Sequence, residues 1–150
     1  MRTIQDLIDN LNQDLQREYQ HLHFYIIAAT NVVGLHREEI SEFFQKQAAS
    51  ELNHVMEFRR LIIGLGGTPT SQPLMPGGFD GPLEVAVLLT AAYNLEMEVV
   101  KKYAERLIEA ETLQDNGGSD MVEGKYIEIF LEEQLLHSRQ DADNIKEMLK

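Results

Sequence analysis

Within residues 48–58 a glutamate and a histidine, Glu51 and His54, stand three positions apart in an otherwise helical, largely apolar pattern that continues through Val55 and Phe58. Residues three apart share one face of a helix, so this carboxylate and imidazole converge on one point. Such a pair can ligate iron, manganese or zinc. It can also hydrogen-bond internally in a metal-free core. What else shares that face decides between the two.

A bundle helix buries positions spaced alternately three and four apart. In the second of four helical segments that stripe is Ile40, Phe44, Gln47, Glu51, His54, Phe58, Leu61 and Leu65, which turns Glu51 and His54 inward. The first segment gives Leu7, Leu11, Leu15, Glu18, Leu22, Tyr25 and Ala29, and the third gives Leu89, Tyr93, Glu96, Val100, Tyr103 and Leu107. In the fourth, Ile127, Phe130, Gln134, His137, Asp141 and Met148 form one stripe, while the apolar centre lies nearer Leu131, Leu135 and Ile145. Gln134 is close to that centre, His137 is toward its edge, and Glu133 is further round. Gln134 and His137 are therefore the expected inward pair, with Glu133 as competitor.

Three glutamates and two histidines thus fall on four inward stripes, each near the middle of its helix. A buried ionised carboxylate costs several kcal/mol unless it is compensated. A cation is the simplest compensation for three carboxylates at one level, and carboxylates can bridge two cations. Di-iron carboxylate bundles take a Glu from each of two helices and Glu-x-x-His from each of the other two. Here Glu51/His54 completes that motif, and Gln134-x-x-His137 offers a partial second copy. Glu18 and Glu51 are 33 positions apart, Glu96 and Gln134 are 38, as a duplicated helical hairpin would give. His21 lies one turn from Glu18 on the flank of its stripe. It is expected to adjoin the centre or face solvent, and stands with Tyr25 and Glu133 as a neighbour or alternative ligand. His23 and His36 are expected at the surface. Tyr25, Tyr93 and Tyr103 are expected in the core, where a buried hydroxyl needs a partner such as a ligand carboxylate.

The elements that must carry these residues follow from the breaks. Glycine or proline interrupts the helical pattern near Gly34, through 64–82, which holds all four prolines, and again at 114–120. Four long proline-free segments remain. Two short connections make antiparallel pairs, and the long middle one spans the bundle. The expected fold is all-α: a four-helix bundle with one long crossover between helices 2 and 3, forming a single domain over residues 1–150. Pro82 is expected in the first turn of the third helix, and no strand is expected.

The chain contains no cysteine, which excludes a disulfide framework, a thiolate nucleophile and a cysteine-bound metal. Its formal net charge of −12 disfavours binding to DNA or anionic membranes. The opening "MRTIQDLIDN" lacks the apolar stretch of a secretory signal. No apolar run reaches the roughly 18 residues of a membrane span. A cytoplasmic location is expected.

Through Glu18, Tyr25, "ELNH" at 51–54, Glu96 and "EEQLLH" at 132–137, nearly the whole chain resembles the ferritin-like family, and most of all bacterioferritins and bacterial ferritins. The resemblance implies a ferroxidase centre that binds two Fe²⁺ and oxidises them with O₂ or peroxide, for iron storage or detoxification. It implies Glu18 and Glu96 as terminal ligands, Glu51 as a bridge, His54 and His137 each on one iron, and Tyr25 close by. Gln134 departs from bacterioferritins, which carry Glu there, so a looser second iron is expected unless Glu133 turns in. Leu52 follows the bridging glutamate where bacterioferritins have their haem-ligating Met, so no haem is expected. Only 13 residues follow His137, short of the fifth helix usual in large cages, so a dimer or smaller shell is open among homo-oligomers. The alternatives are a di-metal redox enzyme of the rubrerythrin or oxygenase kind without a cage, a DNA-protecting starvation-type ferritin, and a metal-free helical adaptor.

Overall fold

The computed structural model describes residues 2–150. Four helices account for most of them: α1 Ile4–Asn31, α2 Arg37–Gly64, α3 Val85–Gln114 and α4 Gly118–Met148. α1 begins at a reciprocal cap. The Thr3 side chain accepts from the Asp6 backbone N–H, and the Asp6 carboxylate accepts from the Thr3 N–H. Short turns close the α1–α2 and α3–α4 hairpins. At the second, Gly117 and Gly118 have φ of 72° and 57°, backbone that glycine adopts without a side-chain clash. α3 and α4 then approach so closely that a Cβ on Gly124 would stand 2.8 Å from the Ala110 carbonyl oxygen.

The crossover from α2 to α3 is strapped along the bundle. The Asn12 side chain donates to the Thr68 carbonyl and accepts from the Thr70 N–H, Arg59 reaches both Tyr19 and the Thr70 carbonyl, and Asn31 donates to the Phe79 carbonyl. At its end the structure differs from the sequence expectation. Leu83–Glu84 forms a two-residue strand, β2, parallel to β1 at Val32–Val33. This pairing holds the backbone extended, so α3 starts at Val85 and Pro82 lies before it rather than in its first turn. Two residues are too few to show the alternation by which a strand is read.

Two apolar clusters fill the bundle. One gathers Leu7, Leu11, Leu15, Phe58, Leu61, Tyr103, Leu113 and Leu131. The other gathers Phe24, Tyr25, Ala28, Phe44, Leu88, Leu89 and Ile145. Full burial of each large side chain contributes roughly 1.5–3 kcal/mol. Between them lies a layer of buried polar residues: Glu18, His21, Glu51, His54, Glu96, Gln134 and Ser138. A separate buried ion pair, Asp14 with Arg106, ties α1 to α3 through two hydrogen bonds of 2.8 and 3.0 Å. No helix among the described residues is long and apolar enough to cross a membrane.

Candidate metal centre

Each carboxylate of the polar layer is placed by helical phase. Glu18, Glu51 and Glu96 interrupt apolar stripes near the midpoints of α1, α2 and α3, and each is at most 1 % exposed. Their ligand atoms converge in two groups. Those of Glu18, Glu51 and His54 lie within 4.8 Å of one another, and so do those of His21, Glu51 and Glu96. Glu51 belongs to both, with one oxygen turned to each. Its Oε2 lies 3.3 Å from His54 Nδ1, which is 3.8 Å from Glu18 Oε2. Its Oε1 lies 4.0 Å from His21 Nδ1, which is 3.8 Å from Glu96 Oε1.

Two tyrosines orient the outer carboxylates reciprocally. Tyr25 on α1 donates to Glu96 Oε1 on α3 at 2.7 Å, and Tyr103 on α3 donates to Glu18 Oε1 on α1. The spacing is the same in both helices: Tyr25 follows Glu18 by seven positions, as Tyr103 follows Glu96. Each hydroxyl therefore fixes the carboxylate of the facing helix while burying its ring.

Burial, followed by the charge of Glu51, pushes both Glu18 and Glu96 well above the usual carboxylate range. Glu51 moves the other way. Burial raises it, but the hydrogen bond from His54, the charges of His21 and His54 and a hydrogen bond from Glu18 outweigh that and hold it low. Burial opposes a charge on His54, yet Glu51 overcomes it and raises His54. For His21, burial wins and lowers it, favouring the neutral imidazole that serves as a ligand. At the rim, burial and then the Glu51 charge lift Asp141 to about 6.

The donor set fits cations. Three carboxylates meet at one level, and two buried oxygens there, Glu96 Oε2 and Gln134 Oε1, have no hydrogen-bond partner among the described residues. Buried acceptors are rarely left so. Carboxylate oxygen with imidazole nitrogen suits iron, manganese or zinc.

α4 contributes differently from the other helices. Gln134 is buried, and its amide donates to Glu57 at 2.8 Å. Glu133 and His137 are exposed, outside both groups. The His137 ring stacks on His54 with centroids 6.3 Å apart. His21 is only 3 % exposed and lies inside the second group. A spacing signal marks it: Glu18-Tyr-Gln-His21 is a second Glu-x-x-His, on α1. Leu52 is half exposed on the outer face of α2.

A ferritin-like domain family model matches residues 8–148. No curated protein sequence matches the chain. Among solved structures, a ferritin-like diiron-carboxylate protein from Bacillus anthracis str. Ames superposes with a TM-score of 0.83 at 26 % identity, covering 98 % of this chain and 97 % of that one. A dodecameric thioferritin from Bacteroides fragilis, related to bacterioferritin, gives 0.63 at 25 % identity, covering 97 % and 91 %. A Dps protein from Bacillus brevis gives 0.85 at 14 % identity over the full length of both chains, a likeness of fold alone.

Proposed function

The chain belongs to the ferritin-like domain family, and from that premise we propose that it binds two ferrous ions in its mid-bundle polar layer and oxidises them with O₂ or peroxide, for iron storage or detoxification. One observation carries this reading: Glu51 presents one carboxylate oxygen to each of two ligand groups. A carboxylate so placed serves two cations at once. Glu18 and His54 belong to one side and Glu96 to the other, with Gln134 and His137 at the α4 rim. The diiron-carboxylate relative supports iron, while the donors also suit manganese or zinc.

Iron is the substrate in this reading. Two Fe²⁺ release two electrons, and O₂ with two protons takes them up as H₂O₂. The chain's own residues position and deprotonate. Tyr25 and Tyr103 hold Glu96 and Glu18 in place, and the protons that burial keeps on those carboxylates leave as cations bind. The two apolar clusters keep bulk water from the layer.

Storage requires assembly. Large apolar side chains stand exposed on α2 (Leu52, Met56, Ile63) and on α4 (Met121, Val122, Tyr126, Ile129), as surfaces that pack against further copies do. The dodecameric relative supports the same reading. The test is aerobic Fe²⁺ addition, followed by ferric absorbance near the ultraviolet. A rate well above buffer, lost in Glu51→Ala, supports the proposal, and a wild-type rate equal to buffer refutes it.

A further inference from the structure

We propose that His21 of α1, rather than His137 of α4, is the imidazole ligand of the second cation, so that α1, α2 and α3 supply every carboxylate and imidazole ligand of the centre. This assignment rests on the two-cation reading above and specifies one of its ligands.

Three observations converge on it. The first is placement. His21 Nδ1 faces Glu51 Oε1 at 4.0 Å and Glu96 Oε1 at 3.8 Å, beyond hydrogen-bonding distance. Donors about 2.1 Å from a common cation stand roughly 3.0–3.4 Å apart, so each of these two His21 contacts shortens by about 1 Å or less when a cation is held. The second is the repeat of a motif. Glu18/His21 and Glu51/His54 share the same three-residue spacing, and both imidazoles turn Nδ1 toward an oxygen of Glu51. One turn of α1 thereby serves both halves, Glu18 on the first and His21 on the second. The third concerns α4. His137 is exposed and stacks against His54, which belongs to the first half. Gln134 brings a neutral amide already engaged by Glu57.

The two halves become chemically equal. Each has one glutamate of its own, one imidazole and a share of Glu51. The substitution of Gln for a carboxylate on α4 then leaves the second cation no looser than the first. Two cations of similar affinity are expected.

Wild type, His21→Gln and His137→Gln are dialysed anaerobically against Mn²⁺, and bound metal is counted per chain across a concentration series. Wild type and His137→Gln are expected to take up two ions with similar affinities. His21→Gln is expected to keep one and bind the second at least about tenfold more weakly. A second readout needs no variant: Zn²⁺ is titrated into wild type carrying ¹⁵N-histidine. The ring nitrogens of His21 and His54 are expected to shift, and those of His137 to stay. Full uptake of both ions by His21→Gln, loss of the second ion in His137→Gln, or a shift at His137 without one at His21 overturns the assignment while leaving the two-cation reading intact. Wild-type uptake of fewer than two ions removes that reading and this assignment together.

Discussion

Replacing Glu18 with glutamine raises stability without metal and removes most of what metal adds to it. The side chain is 1 % exposed, and glutamine matches its shape. The amide oxygen still accepts from Tyr103, and the amide N–H₂ can donate to Glu51, as the protonated carboxyl does. In the folded protein burial and Glu51 raise the Glu18 carboxyl well above its ordinary 4.5. The unfolded chain ionises near 4.5, so stability is complete below that pH and falls as pH rises toward the folded value. Each pH unit in that window costs about 1.4 kcal/mol, which sets a ceiling of about 3 kcal/mol at pH 7. Glutamine does not titrate. Without metal, Glu18→Gln is therefore more stable than wild type at pH 7 by up to about 3 kcal/mol, and equal to it at pH 4. With Mn²⁺ at about 100 times its dissociation constant, wild type gains about 2.7 kcal/mol, and the variant loses most of that. Urea unfolding followed by far-ultraviolet circular dichroism, at matched chain concentration with chelator or with Mn²⁺, reads both differences. A metal-free variant destabilised by more than about 1 kcal/mol at pH 7, or one that keeps the whole metal gain, refutes the reasoning.

Asp14→Ala strips Arg106 of two buried hydrogen bonds and leaves it, among the described residues, only Glu109. A loss of about 3 kcal/mol is expected, most of it recovered in Asp14→Leu with Arg106→Leu, and a harmless single substitution contradicts the pair's role. Gly124→Ala gains about 1 kcal/mol of helix propensity. Its Cβ, however, meets the Ala110 carbonyl oxygen at 2.8 Å and Gln114 Cγ at 2.7 Å. Net destabilisation in the same urea assay is expected, and a gain would mean that α3 and α4 sit further apart. Metal uptake near neutral pH releases the protons held by Glu18 and Glu96, so affinity falls as pH is lowered. A weakly buffered Mn²⁺ titration without acidification would contradict that protonation.

Much of this architecture is written in periodicity. Gly34, the proline-rich stretch and Gly117–Gly118 punctuate four long helices, and a carboxylate on an apolar stripe is visible because burial makes it expensive. The stripes of α1, α2 and α3 are regular enough to place Glu18, Glu51 and Glu96 in one layer. His21 is harder to place from sequence, since a residue on the flank of a stripe can turn either way. Its partners Glu51 and Glu96 lie on other helices, and only their packing decides. α4 is ambiguous for a related reason: its polar stripe and its apolar centre are out of phase, which leaves His137 outside and Ser138 inside. The β1–β2 pair leaves almost no sequence trace, because two residues carry no period.

The central claim is that one carboxylate, Glu51, serves two cations. Anomalous X-ray scattering at the iron edge from protein loaded anaerobically with Fe²⁺ tests it most directly. Two peaks are predicted within the polar layer, one beside each oxygen of Glu51, toward His54 and toward Glu96. A single peak, or iron held only at surface carboxylates with Glu51 unengaged, contradicts the account.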